Sequence, residues 1–442
     1  MPIEICTISG FSKTEGNSVA VKIDNEVVIL DMGLSMSDYI RFTEDLEDIT
    51  PKTYSSLLKA GAVPNYKFIE DWRKNVIAIV PNHGHLDHIG AVPFASPLFP
   101  NAPIITTPLA AEVLKRTLYD EEMEIPNEII AQPMNSIFSL SKTITAEFIS
   151  IIHSIPQTAI VVLHTPYGKV VYANDFKMDK HTILDEKSNF SRLKELGKEN
   201  DIVIIIINCL YAHEAKKADS EVVAQQMLDE LLPNVNKSHK AVIITTFSSH
   251  IARLTHILNL GKKINRKVIL LGRSLEKYVQ SAQQLDLLDK EIRVIRFRRH
   301  LEKIFRKIQQ EGKEKYLIVC TGHQGEPRSI ISRLARQELP LKLEKDDCVI
   351  FSSNVIPVEI NIENRKRLET ILEKAKVKIF CDIHVSGHGA LEDEKELLQI
   401  LNPKHIIPIH AEPEKAKMLA AMAHSIGFKN THIMTDGERI TF

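Results

Sequence analysis

The sequence predicts an α/β fold in which a strand-rich first part is followed by a parallel sheet flanked by helices. From about residue 200, short runs rich in β-branched residues alternate with stretches that place apolar residues every three or four positions, a pattern typical of βαβ units. Polar residues come directly after many of these runs, and sites in α/β sheets form at the carboxyl ends of strands. Because 442 residues exceed one typical core, we expect two domains or one domain with a large insertion.

The elements follow from local composition. Residues 19–30 predict a hairpin that turns at Asp24-Asn25, and residues 160–173 predict a second that turns at Pro166-Tyr167-Gly168, because these residue types favour turns. The remaining predicted strands are residues 76–80, 202–207, 242–246, 268–271, 316–320, 348–351, 377–380 and 406–409. The predicted helices of the alternating part are residues 221–232, 250–260 and 328–337.

Composition excludes some classes of protein and leaves others open. Lys+Arg total 56 against Asp+Glu 57, and a nucleic-acid enzyme needs a basic track rather than a basic total. The 5 cysteines are scattered, which argues against a disulfide framework and a Cys-based zinc site and favours a reducing cytoplasm. The first residues lack a basic segment followed by an apolar one, so we expect no signal peptide. The apolar run Ile202–Ile207 is too short to cross a membrane.

The strongest chemical signal follows the predicted strand at residues 76–80. His83 and His85 alternate on an extended segment and can face one way, while Asp87 and His88 begin a helix and offer a second set of ligands. Three imidazoles and a carboxylate suit zinc or manganese better than an ion that requires oxygen ligands alone. A surface cluster of histidines is the alternative, and the position after an apolar strand argues against it.

Two metal ions need more ligands than this segment supplies. His153, Asp175 and His410 each follow an apolar run, which is where a residue of an α/β site belongs. Taken alone, each is more often a structural residue. Asp31 also ends a strand, and a turn residue before Gly33 is an equally good interpretation of it.

These residues together resemble the full motif set of the metallo-β-lactamase fold, in its nucleic-acid-processing branch with an inserted β-CASP domain. The resemblance is closest to the ribonuclease J family of archaeal type, which lacks the C-terminal domain of bacterial members, and it runs over nearly the whole chain. It rests on the His-x-His-x-Asp-His run and on further segments, namely residues 153–156, 175–177, 246–249, 272–274, 321–327 and 384–389. It implies an αββα domain formed by residues 1–207 and 355–442, with residues 208–354 as the inserted domain.

The resemblance implies two divalent metal ions per chain, with zinc favoured and manganese or magnesium as alternatives. One ion would be held by His83, His85 and His153. The other would be held by Asp87, His88 and His410, with Asp175 bridging the two ions. The implied catalytic residues are His388 near the scissile phosphate, Asp87, and Asp31, which would orient a ligand histidine.

The implied partner is single-stranded RNA, in a cleft between the two domains. The residues that would bind the nucleotide phosphate and the RNA are His384, Val385, Ser386, Gly387, His388, Ser352, Ser353 and Arg273. One position departs from the family, because Asn208 stands where an acidic residue is usual. An amide accepts a hydrogen bond from a nearby histidine but does not stabilise its charged form, so the role of this position is left open.

The function that this pattern favours is 5′-to-3′ exonucleolytic cleavage of RNA, faster on 5′-monophosphate ends, with endonuclease activity and a homodimer left open. A DNA nuclease, a small-ester or thioester hydrolase on the same metal site, and a catalytically silent RNA-binding scaffold are the alternatives. The insertion argues against the ester hydrolase, and the complete set of ligands argues against the scaffold. The basic stretch Arg293–Lys307 either contacts RNA or is a solvated face.

Overall fold

A computed structural model describes residues 3–44, 52–181, 184, 187–356 and 358–442. The chain forms two compact units. The first unit combines residues 1–218 with residues 387–442, and the second unit consists of residues 219–386. No helix in the described ranges is both long and apolar enough to span a membrane.

The first segment of the first unit contains β1 (Ile3–Ser9), β2 (Ser18–Ile23), β3 (Glu26–Leu30), α1 (Met36–Glu44), α2 (Tyr54–Lys59), β4 (Val76–Val80), α3 (Leu86–Ile89), α4 (Val92–Ala95), β5 (Ile104–Thr106), α5 (Pro108–Asp120), β6 (Ile129–Ala131), β7 (Ile137–Ser139), β8 (Thr145–Ile151), β9 (Thr158–Thr165), β10 (Gly168–Ala173), α6 (Phe190–Glu199) and β11 (Ile202–Asn208). The second unit contains α7 (Glu221–Ser238), β12 (Val242–Thr245), α8 (Ile251–Lys263), β13 (Lys267–Leu271), α9 (Arg273–Gln284), β14 (Val294–Ile295), α10 (Arg298–Glu311), β15 (Tyr316–Cys320), α11 (Ile330–Ala335), β16 (Cys348–Phe351), α12 (Glu359–Lys374) and β17 (Lys378–Phe380). The chain then returns to the first unit with α13 (Leu391–Leu401), β18 (His405–Ile409), α14 (Pro413–Ser425) and β19 (Arg439–Thr441). Short 3₁₀ helices span Tyr66–Asn75, Ser96–Leu98 and Lys313–Lys315.

The first unit is a sandwich of two sheets. One sheet has the order β19-β1-β2-β3-β4-β5-β6, and the other has the order β18-β11-β10-β9-β8-β7. Their facing sides form one apolar core that includes Val28, Phe148 and Ile206. Helices α6, α13 and α14 cover the outer side of the second sheet with residues such as Leu196 and Leu397. Helix α5 and the 3₁₀ helix Tyr66–Asn75 lie against the first sheet, which completes four layers.

Strand β11 is apolar from Ile202 to Ile207 because both of its faces are buried. Ile206 belongs to the core between the sheets, whereas Ile205 and Ile207 pack against the helices on the other side. A strand that is covered on both faces has no solvent-facing position for a polar side chain, so it reads as a continuous apolar run. The adjacent strands β10 and β18 pair with β11 in parallel.

The second unit is built on a parallel sheet with the order β14-β13-β15-β12-β16-β17. Its core contains strand residues such as Ile318 and Phe351 and helix residues such as Phe305, Leu334 and Leu372. Because the strands are parallel, their carboxyl ends lie along one edge of this sheet.

The units differ from the predicted division of the chain, mainly at the second boundary. The prediction ended the inserted domain at residue 354, whereas the second unit continues to residue 386. The cause is β17, which pairs with β16 instead of joining the sandwich, and α12, whose Leu368 and Leu372 pack into the same core. The first boundary follows residue 218 instead of residue 207.

Candidate metal centre

The predicted ligands of the first unit, and Asp31, which was predicted to orient one of them, come from the ends of strands in both sheets. They follow β3 (Asp31), β4 (His83, His85, Asp87 and His88), β8 (His153), β10 (Asp175) and β18 (His410). The chain therefore brings together residues that are separated by more than 300 positions, because the strands that precede them share one end of the sandwich. Sequence order alone does not reveal that proximity.

Several of these strand ends have an unusual backbone. Asp31, Asp175 and His410 have φ of 58°, 49° and 67°. This left-handed region is sparsely occupied by residues other than glycine, although Asp, Asn and His tolerate it better than most. Such conformations persist where the surroundings hold them, and they concentrate at functional sites.

One group of potential ligands consists of His83, His85, His153 and Asp175. The Nδ1 atom of His85 lies 3.0 Å from His83 Nε2 and 3.1 Å from His153 Nε2. Asp175 Oδ2 lies 3.5 Å from His83 Nε2 and 3.3 Å from His153 Nε2. These donor atoms converge on one point from three imidazoles and one carboxylate, as a transition-metal ion requires.

A second group consists of Asp87, His88, Asp175 and His410. His88 Nε2 lies 3.5 Å from Asp87 Oδ2 and 3.2 Å from Asp175 Oδ2. His410 Nε2 lies 3.4 Å from Asp175 Oδ1 and 3.9 Å from Asp87 Oδ2. Asp175 belongs to both groups: its Oδ2 lies near His83, His153 and His88, and its Oδ1 lies near His410.

Hydrogen bonds outside these groups fix which nitrogen of each ring faces inward. His153 Nδ1 donates to the carbonyl of Gly387 over 2.8 Å, and His88 Nδ1 lies 2.6 Å from Asp31 Oδ2. Both partners are acceptors, so Nδ1 carries the proton and Nε2 presents its lone pair to the centre. The Asn17 amide lies against His410 Nδ1, with Nδ2 at 2.6 Å and Oδ1 at 2.9 Å, and holds that ring in place.

The donor set fits divalent metal ions. Asp175 Oδ2 is buried and accepts no hydrogen bond in the described part of the chain, although buried carboxylate oxygens are normally satisfied. Burial and the neighbouring His88 and His85 hold the pKa of His83 well below its usual range. Burial opposes ionisation of Asp175, but His388, His410 and His88 hold its pKa well below the usual range. Burial lowers the pKa of His88, but Asp87, Asp175 and Asp31 raise it well above its usual range. Metal ions bind neutral imidazoles and ionised carboxylates, so His88 would release a proton when it binds a metal ion.

Asp31 is fully buried and accepts three hydrogen bonds. His88 Nδ1 and Tyr172 Oη lie 2.6 Å from its Oδ2, and the backbone N–H of Asn82 donates to its Oδ1 over 2.9 Å. Burial raises the pKa of Tyr172 well above its usual value, so the phenol stays a donor. Asp31 thus contacts His88, a predicted ligand, and the backbone of Asn82, which precedes the predicted ligand His83.

His388 lies beside Asp175 with its side chain 20% exposed. Its Nδ1 is 3.5 Å from Asp175 Oδ1 and 3.5 Å from Asn208 Nδ2. Burial lowers the pKa of His388 to about 3. Asn208 donates from Nδ2 to Asp175 Oδ1 over 2.8 Å, and its Oδ1 accepts the backbone N–H of Leu210. Asn208 therefore contacts Asp175 as well as His388.

The remaining predicted residues lie in the second unit or at its end. Arg273 is exposed at the start of α9, and Ser352 follows β16. The Ser352 hydroxyl donates to the carbonyl of Ile383 over 2.9 Å and accepts from the buried Arg253 over 2.7 Å. Ser353 Oγ is buried without a hydrogen-bond partner among the described residues. His384, Val385 and Ser386 complete the unit, and the His384 ring lies 5.9 Å from that of Phe247.

Sequence reasoning missed residues that support the centre. Asn17 and Tyr172 carry no motif of their own, because their importance depends on contacts with His410 and Asp31. Gly33 is another, since a Cβ atom there would lie 1.7 Å from the carbonyl oxygen of Asp87. The Asp-x-Gly pattern after a strand was the one available signal for this close approach.

Comparison with known proteins gives matches over nearly the whole chain. Residues 13–229 match the metallo-beta-lactamase superfamily, residues 239–371 match the beta-CASP domain of ribonuclease J, and residues 376–434 match the Zn-dependent metallo-hydrolase RNA specificity domain. Ribonuclease J of Methanocaldococcus jannaschii is 38% identical over 100% of this chain and 99% of its own length. Ribonuclease J of Pyrococcus abyssi is 39% identical over 96% of this chain and 93% of its own length.

More distant proteins agree with this. Ribonuclease J 1 of Streptococcus pyogenes is 29% identical over 99% of this chain and 74% of its own length. A solved structure of a protein of unknown function from Enterococcus faecalis covers all of both chains with a TM-score of 0.68 at 14% identity, which shows the fold alone. The predicted fold class is confirmed. The chain belongs to the ribonuclease J family, on a metallo-β-lactamase fold that carries a β-CASP domain.

Proposed function

We propose that this chain is a metal-dependent ribonuclease that degrades single-stranded RNA from the 5′ end and prefers a 5′-monophosphate. The observation that carries the proposal is the pair of ligand groups that share Asp175. The names of the relatives support RNA as the substrate. The proposal also includes cleavage at internal sites, action in RNA processing and decay, a cytoplasmic location and a homodimer. The ribonuclease activity itself does not depend on these four points.

The ligand chemistry supports two divalent ions per chain. His83, His85 and His153 would hold one ion, and Asp87, His88 and His410 would hold the other, with Asp175 between them. Zinc is favoured because nitrogen donors predominate, and manganese or magnesium are the alternatives. When bound, such ions supply an activated water and neutralise negative charge on a phosphoryl group.

The chain's own residues position the substrate and the ligands. Asp31 keeps His88 in one tautomer, and the Gly387 carbonyl does the same for His153. His388 stands next to Asp175 with a partly exposed ring, where it can contact an oxygen of the scissile phosphate. Proton transfer to a leaving oxygen typically contributes about a hundredfold or more to the rate.

The 5′ preference is assigned to the segment 384–388. Arg253 and Ser352 both donate to the carbonyl of Ile383, immediately before this segment. A segment anchored there can present backbone N–H groups and the Ser386 hydroxyl to a terminal phosphate. A monophosphate carries less charge and bulk than a triphosphate, so it fits such a pocket better.

The test is digestion of 3′-labelled and 5′-labelled RNA with either a mono- or a triphosphate end and with the metal varied. We expect mononucleotides from the 5′ end, released faster from the monophosphate RNA. Ser386→Ala should reduce that preference more than it reduces cleavage at an internal site. Shortening from the 3′ end, or equal rates on both ends, would contradict the assigned direction and pocket. Full activity after exhaustive chelation would contradict the metal centre itself.

A further inference from the structure

An exposed aromatic side chain follows the edge strand β14 of the second unit. Phe297 is 57% exposed, although large aromatic rings contribute strongly to stability when they are buried. The guanidinium carbon of Arg296 lies 4.6 Å from the centre of its ring, and the His300 ring lies 6.1 Å away in an edge-on orientation. The ring is thus presented to solvent and held by two polar neighbours.

Three exposed cations with no ion pair among the described residues lie close to Phe297 in the chain. Helix α10 buries Leu301 and Phe305 in the core of the unit, and its opposite side exposes Arg299 and Lys303. Arg293, before β14, is also exposed. None of the ion pairs formed within the described residues includes Arg293, Arg299 or Lys303.

Other basic residues of the same stretch are already neutralised. Arg296 pairs with Glu276 at 2.9 Å, Arg306 with Glu302 at 3.6 Å, and Lys307 with Glu311 at 3.6 Å. Among the described side chains of this basic stretch, Arg293, Arg299 and Lys303 thus differ from the paired cations, and they lie within six residues of Phe297.

The position of Phe297 in the sheet relates it to the segments that resemble ribonuclease J. It follows the carboxyl end of β14, and the parallel strands of this sheet all end along that edge. The family segments at residues 272–274 and 321–327 follow β13 and β15, the nearest strands in the sheet. The segment that begins at His384 follows β17, at the other end of the row. Strands lie about 4.8 Å apart, so five intervals separate the two ends of the row by roughly 24 Å.

We propose that Phe297 is a stacking platform for a base of the single-stranded RNA substrate, with Arg293, Arg299 and Lys303 contacting neighbouring phosphates. The proposal rests on the proposed ribonuclease function and adds a contact several nucleotides away from the terminal phosphate. An aromatic face between cations binds single strands without regard to sequence, because every base has a π face. The cations select a polyanion over an uncharged or basic partner.

The test measures KM for the metal-loaded protein on 3′-labelled 5′-monophosphate oligouridylates of about 5 and about 20 nucleotides, lengths on either side of a typical single-strand site. Loss of one base stack corresponds to a KM that rises between about 5-fold and about 150-fold on the long RNA. Phe297→Ala should show that rise and shrink the KM advantage of the long RNA over the short one. Phe297→Trp should restore it.

Two controls separate stacking from charge and from general surface effects. On long RNA with abasic nucleotides downstream of its 5′ end, Phe297→Ala should lose its effect. The triple substitution Arg293→Gln, Arg299→Gln and Lys303→Gln should lower the slope of log KM against log salt by about 2 on either long RNA. The matched control for Phe297→Ala is Tyr119→Ala, at an exposed tyrosine of the first unit. The matched control for the triple variant is Lys366→Gln, Arg367→Gln and Lys374→Gln, at exposed residues of α12. Both controls should behave as wild type.

The outcomes distinguish the two proposals. If the wild type does not degrade RNA, the proposed function fails. If it degrades RNA while Phe297→Ala and Tyr119→Ala have the same KM on long RNA, the stacking platform fails and the function stands. An equal effect of Phe297→Ala on normal and abasic RNA would also overturn the platform.

Discussion

The contact between Asp31 and His88 offers the sharpest test of how the centre is organised. Asp31 accepts from three donors with two oxygens, and it is fully buried. In Asp31→Asn, one of those oxygens becomes an NH₂ group. If the amide nitrogen faces Asn82, its N–H groups meet the backbone N–H of that residue, so two donors face each other. If it faces His88 and Tyr172, its N–H groups meet the donors of both side chains. Either orientation leaves at least one buried donor unsatisfied.

The magnitude follows from that count. A buried unsatisfied donor costs about 1–3 kcal/mol, and the surviving bonds lose their charge assistance, for about 1 kcal/mol more. Asp31→Asn should therefore lower the free energy of unfolding of the metal-free protein by roughly 2–4 kcal/mol. Because His88 loses the acceptor that fixes its tautomer, affinity for the metal should fall about 10- to 100-fold.

Urea unfolding in chelator measures the stability, and competition with a chelating dye measures zinc affinity. Tyr172→Phe is the matched control: it removes one of the three donors and leaves the His88 bond in place. Because the buried Asn174 Nδ2 also loses its acceptor, the cost should be about 1–3 kcal/mol, with metal affinity nearly unchanged. If Asp31→Asn binds zinc as tightly as wild type, or if Tyr172→Phe loses as much affinity, Asp31 does not orient His88.

Three further predictions concern the centre and its surroundings. His83→Ala should abolish RNA cleavage and reduce bound zinc in metal analysis, because an open site tolerates little loss of ligands; unchanged metal content would contradict the assignment. Asn208→Asp should place a second carboxylate next to Asp175, so thermal unfolding should show a loss of stability in chelator that zinc reverses; equal losses with and without zinc would count against it. Burial raises the pKa of Glu147, but His164 and Arg192 lower it to about 2 from 4.5. The resulting stabilisation, up to about 3 kcal/mol, is present above pH 4.5 and lost as the pH falls towards 2, so Glu147→Gln should destabilise the protein at pH 7 and much less at pH 3.

The fold was predictable from the sequence where elements are local. The hairpin at residues 19–30 needs only apolar runs around a turn, and β2 and β3 pair there as expected. Strand β17 shows the limit of such reasoning. Its sequence predicts a strand, but which sheet accepts it depends on pairing with β16. No periodicity encodes that partner, which is why the predicted boundary at residue 354 differs from the end of the second unit.

The candidate site divides in the same way. The His83–His88 segment was identifiable because its spacing already carries the geometry of ligands. Asp175 and His410 could be assigned as ligands only with the help of the resemblance. They lie close together because the strands that precede them meet in the folded sandwich. Asn17 and Tyr172 act through side-chain hydrogen bonds to other residues. A sequence without its contacts gives no means of distinguishing them from ordinary core residues.

The amide at position 208 shows how a departure from a motif acquires a physical meaning once its contacts are known. The N–H of Leu210 donates to Asn208 Oδ1, and this fixes the NH₂ group towards Asp175. The bridging carboxylate therefore gains a donor where the family's usual acid would add a negative charge. A donor holds Asp175 in place but leaves one negative charge fewer to attract cations. The substitution thus supports a centre that keeps its geometry and binds metal less strongly, rather than a scaffold that has lost its ligands.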